Sequence, residues 1–174
     1  MKNLTLIIPA KEESKSLPLV LDELKKFECK INVILHKTDI ATIKSIKNYD
    51  VDIIFQKNFG YGDALIEGIN TCNTKFFCIF NADGSFNPKE LDKMYQSMNF
   101  DKLDFLFASR YQNNSGSEDD TIITFVGNYL FTFIGKIFFK LNITDILYTF
   151  VIGRTDKVRQ LNLSEKKFAF CVEL

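Results

Sequence analysis

The chain has 174 residues, enough for one domain with a substantial buried core. Hydrophobic residues make up 46% and charged residues 25%, an ordinary balance for a globular protein. Basic and acidic residues stand at 22 each, so no bulk charge draws the chain to nucleic acid, and no nucleic-acid partner is expected. Cysteines at 29, 72, 78 and 171 form no CxxC pair, and with a single His they exclude a zinc site on the usual spacings. Cys78 and Cys171 lie among apolar residues and read as small core hydrophobes, which suits a reducing cytoplasm. The apolar stretch before Pro9 is too short for a signal peptide and runs into a charged segment.

Up to about residue 110, short apolar runs alternate with helical patterns. Leu4 to Ile8 reads as a buried strand ending at Pro9. Leu17, Val20, Leu21 and Leu24 follow at helical spacing, with Ser16 as the expected N-cap. Ile31 to Leu35 is a second strand, Ile40 to Ile46 a second helix, and Val51 to Phe55 a third strand. Ala64 to Ile69 belongs to a helix opened by the Gly60-Tyr61-Gly62 turn. Lys75 to Phe80 is a fourth strand, Pro88 to Met98 a helix with Pro in its first turn, and Asp104 to Ala108 a fifth strand. Repeated strand–helix units of this length predict an α/β fold with a mostly parallel sheet and helical crossovers. Ligands bind such sheets beyond the strands' carboxyl ends. The segments to inspect are therefore Ala10 to Ser14, His36 to Asp39, Asn58 to Gly62, Asn81 to Ser85 and Ser109 to Tyr111.

Gln112 to Asp120 is polar, acidic and without periodicity, and reads as a loop. From Thr121 the chain turns Phe-rich, with Lys136 and Lys140 and no acid before Asp145. Its uncharged part, Thr121 to Gly135, falls short of the roughly 20 residues that cross a bilayer. Two readings stay open: a helix buried against the domain, or one lying in a membrane interface with its lysines at the headgroups. Phe168 to Leu174 alternates and reads as a strand. A chain that stops in mid-element is expected to be C-terminally truncated.

Asn81-Ala82-Asp83-Gly84-Ser85 carries the sharpest chemical signal. It sets a carboxylate on a turn at a strand's carboxyl end, where Mg²⁺ or Mn²⁺ holding a diphosphate takes one or two protein oxygens. Asp-Gly also makes plain turns. Asn58-Phe59-Gly60-Tyr61-Gly62 offers glycines for close backbone approach to a ligand and the amides of a helix N-terminus. Pro9-Ala10-Lys11-Glu12-Glu13-Ser14 is a third such feature on the same edge.

Together these segments resemble family 2 glycosyltransferases of the GT-A, Rossmann-like fold. IIPAKEES is similar to the family's opening strand and nucleotide-binding loop, IPAYNEE. NFGYGDALIEGI resembles its NxGxGxAxxxG helix, IFNADGSFNP its DADGxxxP metal segment, and FASRY its GSRY segment. GNYLFTFIGKIFFKLNITD resembles the region that follows in the dolichyl-phosphate mannose and undecaprenyl-phosphate glucose synthase branch, and Glu173 its late acidic position. The resemblance implies one domain, 1–174, with a nucleotide-binding half (1–111) and an acceptor-side half (112–174). It implies a UDP- or GDP-linked sugar donor, Mg²⁺ or Mn²⁺, inversion at the anomeric carbon, and a lipid phosphate or glycan acceptor. Pro9, Ala10 and Glu12 would line the nucleotide, with Asp39, Gly60, Gly62 and Asn81 completing the donor site. Asp83 would coordinate the metal, Arg110 would sit by the phosphates, and Asp145 and Glu173 would face the acceptor as catalytic carboxylates. The expected location is cytoplasmic, at a membrane's inner face where the acceptor is lipid-borne.

The chain departs from the pattern at named places. Asn81 replaces the first Asp of the metal segment, and Leu35-His36-Lys37-Thr38-Asp39 replaces the acidic VDDGSTD that holds the base. The segment after Asp145 lacks the Gly and Arg of a DxxxGFR element, and an RxxGxSK element is absent. These departures support an alternative, a catalytically impaired binding or scaffold protein on the same fold. A sugar-1-phosphate nucleotidyltransferase would need a glycine-rich basic loop where Ala10-Lys11-Glu12-Glu13-Ser14 stands.

Overall fold

The computed structural model describes residues 1–110, 122–140 and 143–174, with the backbone alone at 122–128 and 139. Tyr111 and the expected polar loop, Gln112 to Asp120, lie outside the described residues. Strands β1 (Leu4–Pro9), β2 (Lys30–Leu35), β3 (Asp52–Phe55) and β4 (Phe76–Ile79) alternate with helices α1 (Ser16–Leu24), α2 (Ile40–Ser45) and α3 (Tyr61–Thr71). Then come α4 (Pro88–Phe100), β5 (Phe105–Phe107), α5 (Ile122–Phe139), β6 (Val151–Arg154), α6 (Thr155–Gln160) and α7 (Phe170–Glu173).

The six strands form one sheet in the order β3-β2-β1-β4-β6-β5. β1 pairs in parallel with β2 and β4, and β2 with β3, while β6 runs antiparallel to both β4 and β5. Successive side chains of β1 serve opposite faces. Leu4, Leu6 and Ile8 join Leu17, Leu21, Leu91 and Met98 on one side, and Ile7 meets Ile34, Leu65, Ile69, Phe77 and Phe170 on the other. Burying each such aliphatic side chain contributes about 1.5–3 kcal/mol. Both faces of the central strands are thus covered, which is why they read as continuous apolar runs. Strand order reverses at β1 and β4, so the crevice at their carboxyl ends is where an open α/β sheet takes a ligand.

Two expectations are corrected, and one strand was not foreseen. Phe168 to Leu174 forms no strand. Phe170 is fully buried beside Leu65 and Ile69, and Leu174 N donates to Phe170 O (3.0 Å), so a helical turn replaces the extended form. Ser16 is the first residue of α1 and not its cap; Lys15 holds the cap position and makes no side-chain cap bond, while Ser16 Oγ bonds the Glu13 carboxylate. β6, four residues with Gly153 inside, carries no sequence signal of a strand. Glycine is needed there because a Cβ would lie 2.6 Å from Phe105 Cδ1 and 2.8 Å from Phe77 Cε1. Among the described residues no helix is long and apolar enough to cross a membrane.

Candidate functional site

The β1 and β2 loops are tied together at the carboxyl edge. Ala10 N donates to Ile34 O (2.9 Å), which holds the end of β1, Pro9 included, against β2. Glu12 adopts a left-handed backbone (φ 61°), costly for a residue with a Cβ, and Asp39 secures it. Asp39 Oδ2 accepts from Glu12 N (2.7 Å) while Oδ1 accepts from Thr42 N (3.2 Å), capping α2. Burial alone would raise the Asp39 carboxyl, but these hydrogen bonds outweigh it and hold the group below its ordinary value. Both Asp39 oxygens therefore shape the loops. One turn away the rings of His36 and Phe59 stack, with centroids 4.1 Å apart.

At the end of β4 the chain makes a tight turn. Asp83 Oδ1 accepts from Ser85 N (2.9 Å), Gly84 takes φ 84°, and Asn81 Nδ2 donates to Ser85 Oγ (3.0 Å). Among the described residues neither Asp83 Oδ2 nor the Asn81 amide oxygen receives a hydrogen bond. Asp83 is exposed, and no group of three or more His, Cys, Asp or Glu forms a metal cage among the described residues. One carboxylate and one amide oxygen fit a divalent cation of the Mg²⁺ type, which needs few protein ligands when a diphosphate supplies the rest.

Beyond β5 lies an ion pair. Arg110 Nε donates to Asp145 Oδ2 (2.8 Å) and Nη2 to Oδ1 (3.1 Å), a fork-to-fork geometry, and Arg110 N adds a longer bond to Oδ2 (3.3 Å). The Asp145 side chain is 0% exposed and that of Arg110 is 22% exposed. The guanidinium lies 5.0 Å from the Tyr148 ring centroid. Burial raises the Tyr148 hydroxyl pKa; Arg110 opposes the rise, and the nearby carboxylates Asp145, Glu90 and Asp83 add to it. Asp83 also adds to the burial that raises Tyr61. The charges of Asp83, Arg110 and Asp145 thus all act on Tyr148, and that of Asp83 also on Tyr61. Tyr61 Oη shares a hydrogen bond with Thr149 Oγ1 (2.7 Å), joining partners 88 positions apart that no local pattern could reveal.

Gly60 and Gly62 are explained differently from the sequence reading. Their open faces are filled by protein backbone. A Cβ on Gly60 (φ 141°) would strike Lys166 O, and one on Gly62 would strike Glu165 O and come within 2.9 Å of Lys167 O. The Asp63 amide in the first turn of α3 donates to Lys166 O (3.0 Å) instead of awaiting an anion. Phe168 stacks on Tyr61 at 5.4 Å. Glu173 lies in α7, where it accepts from Ser164 N, Ser164 Oγ (3.0 Å) and Glu165 N (2.9 Å). Burial works against these bonds, yet together they hold its carboxyl below the ordinary value. Asp145 meets Arg110, and Glu173 instead folds back on its own segment.

The sequence profile described as Glycosyl transferase family 2 matches residues 5–161. The chain belongs to glycosyl transferase family 2. This family 2 chain is 26% identical over 133 residues to an uncharacterized protein of Methanocaldococcus jannaschii, covering 74% of the chain and 55% of that protein. Its fold is similar to glucosyl-3-phosphoglycerate synthase of Mycobacterium tuberculosis, solved with Mn²⁺, UDP-glucose and phosphoglyceric acid: TM-score 0.77, 10% identity, 98% of this chain and 62% of that one. It is similar also to mannosyl-3-phosphoglycerate synthase of Rubrobacter xylanophilus (TM-score 0.70, 11% identity, 90% and 54% covered). The S. aureus TarS fragment 1–349 with UDP-GlcNAc gives TM-score 0.63 at 16% identity, with 99% and 53% covered. The family 2 chain spans little more than half the length of these proteins, and its architecture is the GT-A type, a mostly parallel sheet flanked by helices.

Proposed function

We propose that the protein transfers a sugar, with inversion, from a nucleotide-diphospho-sugar to a phosphate oxygen of a polyprenyl phosphate, as in the dolichyl-phosphate mannose and undecaprenyl-phosphate glucose synthase branch. The observation that carries this reading is that Asp83 and the Arg110–Asp145 pair both bear on Tyr148. One carboxylate is open to solvent and one guanidinium is held rigid, which suits a diphosphate and its cation. Asp83 and Asn81 would hold Mg²⁺ or Mn²⁺ together with the donor. The ion's contribution is to stabilise charge on the departing diphosphate. Pro9, Ala10 and Glu12 would line the nucleotide, and Gly60 and Gly62 would act by seating segment 165–167 beside the site.

The step itself is a displacement. An acceptor oxygen forms a bond to the anomeric carbon as the bond from that carbon to the diphosphate breaks, and the electron pair leaves with the nucleoside diphosphate. A hydroxyl acceptor would have to lose a proton to a carboxylate. Neither expected carboxylate is well placed for that, since Asp145 is sealed against Arg110 and Glu173 is bound by the 164–165 amides. A phosphate monoester is already anionic near neutral pH and needs only alignment. Its attachment to a lipid is supported by the exposed apolar side chains of α5, among them Tyr129 (69% exposed) and Phe138 (74%).

A second reading, a binding or scaffold protein without turnover, is favoured by Asn81 in place of a carboxylate. Calorimetric titration with UDP-glucose and GDP-mannose, with Mn²⁺ and with EDTA, tests both. Metal-dependent binding that Asp83→Ala abolishes, followed by sugar transfer to polyprenyl phosphate, is expected. Transfer to phosphoglycerate alone would move the acceptor from lipid to small molecule. Binding without transfer would establish the scaffold reading.

A further inference from the structure

We infer that Phe59, backed by His36, is the platform on which the donor's base stacks, and that the chain therefore discriminates weakly between uracil and guanine nucleotides. The inference rests on the nucleotide-sugar reading and adds to it how the base is held. His36 opens the turn after β2 and Phe59 stands in the turn after β3, at the same carboxyl edge as Asp83. From β4 across β1 to β2 is two strand spacings, roughly 10 Å. A diphosphate at Asp83 thus places its base near the β2 and β3 turns.

The ring pair is arranged to receive it. The rings are 27° from coplanar with centroids 4.1 Å apart, so His36 supports one face of Phe59. Phe59 as a whole remains 70% exposed, so much of its ring is open to a stacking partner. His36 is itself steadied, its Nδ1 lying 2.7 Å from Thr38 Oγ1. Hydrogen bonding by an acid, the other way to hold a base, is closed off on this loop. Asp39 is its sole carboxylate, and both oxygens are engaged by Glu12 N and Thr42 N. Stacking supplies affinity without reading the base's edge, because every base presents a π-face.

The test uses the full chain with Mn²⁺ and three probes: UDP, GDP and inorganic pyrophosphate. Wild type is expected to bind UDP and GDP within about tenfold of each other. Phe59→Ala is expected to weaken both by about 5- to 150-fold, leaving pyrophosphate unchanged, while Phe59→Tyr retains the affinity. The chain has no Trp, so Phe59→Trp supplies a single fluorophore that UDP and GDP should quench and pyrophosphate should not. Unchanged nucleotide affinity in Phe59→Ala, or an equal loss for pyrophosphate, overturns the platform and leaves the donor site standing. A wild-type chain that binds none of the three probes overturns the donor site and the platform with it.

Discussion

At the residue scale the decisive feature is a carboxylate whose chemistry depends on its partner. Asp145 could be a base that takes a proton or an anchor that holds Arg110, and the two roles predict different losses. Both Asp145 oxygens face the guanidinium, and its side chain is sealed from solvent. Removing one partner of such a pair leaves a charge uncompensated, so Asp145→Ala should lower unfolding free energy by about 3–5 kcal/mol in a denaturant titration. Asp145→Asn keeps the shape and one acceptor oxygen but loosens the fork. It should weaken nucleotide-sugar binding about tenfold, roughly 1.4 kcal/mol, measured by calorimetry. A base would behave otherwise: turnover would collapse with donor affinity intact. Asp83, Asn81 and Arg110 could be nominated from the sequence because short motifs place them at strand ends. That Asp145 pairs with Arg110 was not, because the partners are 35 positions apart and charge alone does not say which residues meet.

At the scale of elements, the sheet was legible except for β6. Buried parallel strands announce themselves as apolar runs, and β1 to β4 fall within a residue or two of the expected spans. β6 is short and interrupted by Gly153, and its antiparallel course between β4 and β5 depends on long-range pairing. The alternating pattern at Phe168 to Leu174 misled for the same reason, since tertiary packing on α3 overrode it. That packing makes a sharp prediction at Gly62. A methyl there meets the backbone oxygens of Glu165 and Lys167 and the Cβ of Phe170, none of which can swing aside. Gly62→Ala should cost about 1–3 kcal/mol through overpacking and lift segment 165–170 from α3. Trypsin should then cut after Lys166 and Lys167 faster than in wild type. Unchanged cleavage would mean the segment is not seated on the α3 turn in solution.

At the scale of the whole molecule, α5 is turned the wrong way round for water. Its small residues Thr132 and Gly135 face the protein, while Tyr129, Leu130, Phe131, Phe133, Ile134, Ile137 and Phe138 are all at least 38% exposed. An isolated exposed apolar side chain is ordinary, but a run of seven on one helix is a surface that something covers. A helix packed wholly against the domain would not leave these rings in solvent. Exposed Lys136 and Lys140 accompany the apolar residues, a combination that suits anionic headgroups above an acyl boundary. A lipid-phosphate acceptor would then be met where it resides. The chain should co-float with phosphatidylglycerol-containing vesicles at low salt, and high salt should reduce the effect by screening the lysines without abolishing it. The double substitution Phe133→Ser with Phe138→Ser should release the chain into the soluble fraction while leaving UDP or GDP affinity unchanged, because both side chains are exposed, at 51% and 74%. Vesicles that float without the wild-type chain would assign the exposed rings to a protein partner instead. The acceptor would then be sought among water-soluble phosphates.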